Sequence, residues 1–503
     1  MENLKELVAI VNRIKIQRIE IIGRGRTGKG QKLKKLYDGI AKGKFKTDEE
    51  AAKAIYGESH KKNAYAFLKH KLTEKLLNTL FFINLSDTPV SNFQKSYYQI
   101  EKQRAAVKIL LGKGVKGIGV ELAEKVIKRS LKLELTDINI ELGRILRRHF
   151  RTYDKKKKKA KLYERIVTEQ LEILVAETKV ENYYELLIQA VAASRSNLKK
   201  VENTARLYAK KTKEVFPKNQ SYKLSLVSHL IFILEKEITK DYKGVETCCL
   251  RAINYYEDSK KDESIEKIFI FYIKLLSAYI PLKKFEEGKE VTTLILNSIE
   301  AGRINWFLAL DHYFLLSMHT GNYQKAEEIF EQATTHTRFK SLDKQYKEMW
   351  SVYEAYLEFL KQVGILEKKN KVSFRVARFM NRVPHFSKDK TGINISILVI
   401  QILLLIAQGK EIKVIDRMEA LRTYAYTYLR RDDSLRSNCF IKILVKMVDA
   451  NFHRAGTIRK AQSLVDTIKK TPISSKGHSQ YVEIIPYEHL WEITIGLLHN
   501  RAF

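Results

Sequence analysis

The sequence predicts an all-α protein in which helix hairpins stack one on the next, preceded by a small, basic helical region at the N-terminus. Three observations carry that expectation. Only 6 prolines occur in 503 residues, so few positions forbid a helix. Leu, Ile and Tyr recur at spacings of three and four, the period of one helix face. Short patterns of small and large residues also return along the chain, the mark of an array of like units. The apolar fraction of 45% suits a folded chain. The length calls for several packing units, because single cores stop growing near about 250–300 residues.

Residues 1–32 are expected to form a basic arm rich in glycine and arginine. Isoleucine alternates at Ile14, Ile16, Ile19 and Ile21, the pattern of a short strand or an extended tail. Gly23, Gly28 and Lys29 come close to a phosphate-binding loop, but position 30 is Gly, where a hydroxyl must hold Mg²⁺. No strand–helix–strand pattern follows, so nucleotide hydrolysis is not expected. Arg24, Arg26 and Lys29 are assigned instead to phosphate contact from a flexible arm.

Residues 33–90 read as a helix over 33–41, a short helix opened by a Thr47–Glu50 capping box and stopped at Gly57, and a longer helix from Asn63. That last helix passes through Phe67, Leu68, Leu72, Leu76 and Leu80. Short helix, tight turn and longer basic helix resemble a helix-turn-helix DNA-binding unit. The resemblance implies that Lys61, Lys62 and Asn63 meet base edges and phosphates, with Tyr65, Lys69 and Lys71 in or beside the groove.

Residues 91–161 are expected to form basic helical hairpins ending in a lysine-rich linker. Gly112, Gly114 and Gly117 satisfy a dinucleotide-binding spacing, but a helix precedes them where that site needs a strand. Gly117, Ile118 and Gly119, with Ala123 and Ile127 behind, also resemble a helix-hairpin-helix element that turns its amides toward a DNA phosphate.

Residues 162–503 carry the repeats. Leu162, Ile166, Leu171 and Leu174 open them as one helix face. Gly321, Tyr323, Ala326, Phe330 and Ala333 resemble, in spacing and type, the second half of a tetratricopeptide repeat. Fainter copies lie at Tyr242, Val245, Cys249 and Ala252, at Phe285, Gly288, Thr292 and Ile295, and at Ile458, Ala461, Val465 and Ile468. The resemblance implies a right-handed superhelix, a tetratricopeptide-like α-solenoid, whose surface binds a protein partner. Successive copies are 43 and 38 residues apart, longer than the usual period of about 34. Ala123, Ile127 and Ser130 fit the same pattern, which competes with the helix-hairpin-helix reading of that segment.

The apolar run at residues 395–407 contains Ser396 and Gln401 and is shorter than the roughly 20 residues of a membrane span. It reads as a buried helix, and no membrane role is expected. Three cysteines give neither a disulfide framework nor metal spacing; a reducing, cytoplasmic setting follows. His312 and His319 share a helix face and read as packing or surface. Nothing resembles a catalytic or cofactor motif, so neither an enzyme nor a cofactor is expected. Two stretches mix rings with arginine, Phe374 to Phe386 and Tyr424 to Arg436, a mixture that suits single-stranded nucleic acid or a peptide unless the rings are core.

Charge supplies the strongest functional signal. The chain carries 92 Lys plus Arg against 58 Asp plus Glu, a formal charge of +34. Residues 1–161 hold 39 of the bases and 17 of the acids, a net +22. A general lysine bias does not produce that asymmetry. The densest cluster comprises Arg144, Arg147, Arg148, Arg151, Lys155, Lys156, Lys157, Lys158, Lys159 and Lys161, opposed within the segment only by Asp154. Such a cluster neutralises phosphates without reading sequence. DNA or RNA is the expected partner, and an acidic protein is the alternative.

Overall fold

The computed structural model describes residues 1–13, 28–57, 62–81, 92–193, 198–216, 221–258, 265–367, 379, 393–428, 435–473 and 482–498. Every regular element among them is helical, and none is long and apolar enough to cross a membrane. The chain divides into two units, Met1–Leu174 and Val175–Phe503. The division falls inside a helix rather than at the expected boundary after Lys161.

The first unit holds α1 (Glu2–Arg13), α2 (Gly28–Ala41), α3 (Asp48–Tyr56), α4 (Lys62–Leu80), α5 (Asn92–Gly112), α6 (Lys116–Lys132), α7 (Thr136–Thr152) and the start of α8 (Lys157–Ala193). Helices α1–α4 share one core, in which Leu4 and Val8 of α1 meet Leu36, Ile40, Ala52, Leu68, Leu72 and Leu76. The expected arm is therefore corrected over residues 2–13. Leu4 and Val8 lie one turn apart on a helix face, and burying them holds α1 against α4. The isoleucine alternation falls outside the described residues.

Capping is close to expectation. Thr47 Oγ1 accepts from the Glu50 amide at 3.2 Å, and Gly57 closes α3 with φ +82°. The Glu50 carboxylate, however, reaches one residue beyond the cap, to the Lys46 amide at 2.7 Å.

Helices α5–α8 build a second core from Val107, Ala123, Ile127, Leu142, Leu146, Phe150 and Tyr163. The hairpin between α5 and α6 turns at Gly114, whose φ is +80°, while Gly117 and Gly119 already lie inside α6. The helix-hairpin-helix turn expected at Gly117–Gly119 is thus corrected. Ala123, Ile127 and Ser130 are buried, as the competing repeat pattern requires. The lysine-rich linker is corrected too, since Lys157, Lys158 and Lys159 begin α8. On α8 the inward residues are Ala160, Tyr163 and Val167, whereas Leu162 and Leu171 are exposed.

The second unit continues with α9 (Leu198–Val215), α10 (Tyr222–Ile238), α11 (Tyr242–Asp258), α12 (Ile265–Leu282), α13 (Phe285–Ser298), α14 (Ile304–His319), α15 (Tyr323–Thr335), a 3₁₀ turn (Thr337–Ser341) and α16 (Lys344–Gln362). After these come α17 (Ile393–Ala407), α18 (Glu411–Tyr428), α19 (Leu435–Val448), α20 (Arg454–Lys470) and α21 (Tyr487–Leu497). Each helix packs on its chain neighbours, and α12 also packs on α14. That extra contact encloses α14 between α12, α13 and α15, and nearly its whole length is buried. The apolar run of α17 is likewise interior; Ser396 donates to the Val482 carbonyl at 2.7 Å, and the Gln401 side-chain oxygen accepts from Arg417 at 2.7 Å.

The repeat expected from small and large residues is stronger in the backbone. Six hairpins close in the same way, each through a left-handed residue two positions before the next helix: Gly114, Glu134, Lys240, Lys283, Gly321 and Gly409. At five of them the left-handed residue's amide bonds three residues back, as Lys240 does to Glu237 at 3.2 Å. At all six the next amide bonds five residues back, as Asp241 does to Lys236 at 3.0 Å. This is the Schellman closure of a helix end. Ala326 and Ala333 are buried at the α14–α15 crossing, and Gly288 leaves no room for a Cβ beside Leu316. In the α20 copy the buried position belongs to Thr457, and Ile458 is exposed.

Candidate nucleic-acid interface

Helix α7 is amphipathic by simple spacing. Ile138, Leu142, Leu146 and Phe150 recur every fourth residue and are buried. Arg144, Arg147, Arg148 and Arg151 follow at i, i+3, i+4 and i+7, a stripe on the opposite face. Arg144, Arg148 and Arg151 are exposed and Arg147 is half-buried. Four residues then carry the chain into α8, and Lys155 turns the corner with φ +52°.

The start of α8 is anchored by Tyr163, whose ring stacks on Phe150 with centroids 5.8 Å apart and whose hydroxyl donates to Glu124 at 2.9 Å. Lys159 reaches the same carboxylate at 2.8 Å and lies 4.5 Å from the Phe150 ring. Burial alone would raise the Glu124 pKa, but the bonds from Lys159 and Tyr163 outweigh it and hold the carboxyl below its ordinary value. Arg151 pairs with Glu164 at 2.9 Å, and Lys156 pairs with Asp154 at 3.0 Å.

These contacts divide the expected cluster from Arg144 to Lys159 in two. Arg151, Lys156 and Lys159 are held in ion pairs within the fold. Arg144, Arg147, Arg148, Lys155, Lys157 and Lys158 have no ion-pair partner among the described residues. Three lysines also occupy the first turn of α8 with no acid among them. That turn is the positive pole of the helix, where cations repel the dipole and an anion is stabilised by about 0.3–1 kcal/mol.

The remaining expected contacts do not gather here. Arg24, Arg26 and Lys61 lie outside the described residues. Lys29 falls in the first turn of α2 rather than in an arm, and Lys62 begins α4. Asn63 is exposed at the start of α4. The groove-facing roles of Tyr65 and Lys69 are corrected: Tyr65 is buried and donates to Asp48 at 2.8 Å, and Lys69 pairs with Asp48 at 2.9 Å. Burial works against the Asp48 anion, yet the bonds from Lys69 and Tyr65 prevail and take its pKa down to about 2. The exposed side of α4 instead presents Phe67, His70, Glu74 and Leu77, which is not a cationic face.

The later ring-and-arginine stretches fare similarly. Phe379 is buried, and the rest of the first stretch lies outside the described residues. Tyr424, Tyr426 and Tyr428 of the second stretch belong to α18, and Arg430 and Arg431 lie outside the described residues. Its Arg436 is buried, bonded to Glu483 at 2.5 Å, to Glu488 at 2.6 Å and to the Ile468 and Thr471 carbonyls at 2.6 Å. His312 and His319 are interior, on the Leu308 carbonyl at 2.9 Å and the Glu483 carbonyl at 2.6 Å. Compared with known proteins, the chain matches no family profile, no curated protein and no solved structure.

Proposed function

We propose that this chain is a nucleic-acid-associated regulatory or adaptor protein. The α7–α8 surface of the first unit holds the phosphate backbone of DNA or RNA. The helices of the second unit form a right-handed, tetratricopeptide-like superhelix that binds a protein partner. The observation that carries the nucleic-acid part is the set of six cations on α7, the corner and α8 without an ion-pair partner among the described residues. Surface cations within a fold ordinarily find acidic neighbours, as Arg151, Lys156 and Lys159 do. An unneutralised set beside a positive helix pole is suited to a polyanion with closely spaced charges. Cations of this kind hold the phosphate backbone, and the contact is tolerant of sequence.

The superhelix reading is supported by the shared Schellman turns and by the packing of α12 on α14, which stacks one hairpin on the next. Titration of the full chain with labelled duplex DNA and single-stranded RNA tests the nucleic-acid part. Binding at low salt that weakens steeply as salt rises is expected. Absence of binding to either polymer at low salt overturns it.

A further inference from the structure

In the second unit, α9, α10 and α11 line an open pocket of about 430 Å³, within the range of small-molecule sites. From α9, Arg206, Lys210 and Lys213 line it at i, i+4 and i+7, so one helix face supplies three cations. Arg251 of α11 lines it as well, and α10 contributes the Phe232 ring. Lys213 lies 5.9 Å from the centre of that ring.

The charge inside this pocket is not balanced. Among the described residues, Glu235 is the one carboxylate in its lining and pairs with Lys236 at 3.3 Å; Asp241 also pairs with Lys236, at 3.5 Å. Arg206, Lys210, Lys213 and Arg251 have no ion-pair partner among the described residues. Burial pushes the neighbouring Cys248 thiol up, so its sulfur adds no negative charge near neutral pH. Four like charges around one small pocket repel one another unless an anion joins them. A single carboxylate is too weak a match. A peptide with several acidic side chains is too large for the volume. A chain of two or three phosphates concentrates three to four negative charges in a few ångströms, and two guanidinium forks suit its oxygens.

We propose that this pocket binds a small polyphosphate, either free or as the phosphate chain of a nucleotide. Arg206, Lys210, Lys213 and Arg251 bind the phosphates, and Phe232 offers a ring to stack a base when one is attached. The site shares no residue with the α7–α8 surface and does not rest on the nucleic-acid reading.

Calorimetric titration of the full chain with sodium tripolyphosphate near physiological salt tests it. Saturable binding at one site is expected. Arg206→Gln/Lys210→Gln/Arg251→Gln should weaken it at least tenfold, while Arg144→Gln/Arg147→Gln/Arg148→Gln leaves it within twofold. All six positions are exposed or half-buried, and a melting curve for each variant confirms that it folds. A parallel titration with a nucleoside triphosphate separates the two sources. Tighter binding that Phe232→Leu abolishes assigns a nucleotide, and equal binding assigns the free polyphosphate; both uphold the site. Three results overturn it: no saturable binding, binding lost only in the α7 variant, or stoichiometric displacement by an oligonucleotide from the α7 variant. The last would make the occupant a nucleic-acid chain.

Discussion

Neutralising the α7 stripe gives a prediction whose size follows from the structure. Six cations, Arg144, Arg147, Arg148, Lys155, Lys157 and Lys158, are without ion pairs among the described residues. If each displaces a counterion from duplex DNA, log affinity falls against log salt with a slope of about −5.4, since each contact contributes about −0.9. Between about 50 and 200 mM salt the wild-type chain should then lose roughly two-thousand-fold in affinity. Arg144→Gln/Arg147→Gln/Arg148→Gln removes three contacts, leaving a slope of about −2.7 and a loss of only about 40-fold over the same range. Fluorescence anisotropy with a labelled duplex at several salt concentrations measures both slopes. The triple variant should melt within about 0.5 kcal/mol of wild type per site, because these side chains lie on the exposed face of α7 without ion pairs among the described residues. Lys159→Gln is the control, for its ammonium is already bonded to Glu124 at 2.8 Å. A triple variant whose slope equals that of wild type refutes the assignment of these arginines to phosphate.

Other consequences concern stability. Lys240 and Lys283 hold left-handed φ of +57° and +55° at hairpin corners where Gly321 and Gly409 stand elsewhere. Lys240→Gly and Lys283→Gly should each stabilise the second unit by about 0.5–1 kcal/mol in chemical denaturation, relief of Cβ strain exceeding the added chain entropy. His229 is buried among rings, and burial, reinforced by Arg251, lowers its pKa to about 4. Between about pH 6.5 and 4 the unfolded chain takes up a proton that the folded one refuses. Stability contributed by the neutral ring is therefore complete above pH 6.5 and falls toward pH 4, by up to about 1.4 kcal/mol per pH unit. His229→Phe should flatten that part of the melting profile; an unchanged profile would show that the ring is not kept neutral. Arg436→Met leaves buried Glu483 without its partner and should cost about 3–5 kcal/mol, part of which Glu483→Gln restores. Equal stability of the single and double variants would sink that account.

Where composition and spacing act through one helix at a time, sequence reasoning succeeded. The all-helical class follows from proline scarcity and three-to-four spacing. The cap at Thr47, the stop at Gly57 and the inward Ala326 and Ala333 each depend on neighbours within a few residues. Difficulties began where two faces of one helix competed for the core. On α8, Leu162 and Leu171 are more apolar than a tyrosine, yet Tyr163 and Val167 are inside because Phe150 and Glu124 present a stacking surface and an acceptor there. On α20, Thr457 keeps its hydroxyl bonded to the His453 carbonyl at 2.9 Å and so can be buried in place of Ile458. The faint internal repeat has a similar cause. Its shared feature is a backbone angle, and Glu134, Lys240 and Lys283 adopt that angle without advertising it as glycine does.

By itself the sequence determined the helical class, the excess of charge in the first third of the chain and the arginine stripe of α7, because these depend only on composition and local period. Tertiary structure decided which cations remain available. Lys69, Arg151, Lys159 and Arg436 are as basic as their neighbours, but carboxylates from other helices or turns occupy them. It also brought Arg251 to Arg206, Lys210 and Lys213 across α10, forming a cationic pocket that the linear order of the residues conceals. Charge is additive along a chain, whereas neutralisation depends on distances of a few ångströms, and those arise only on folding.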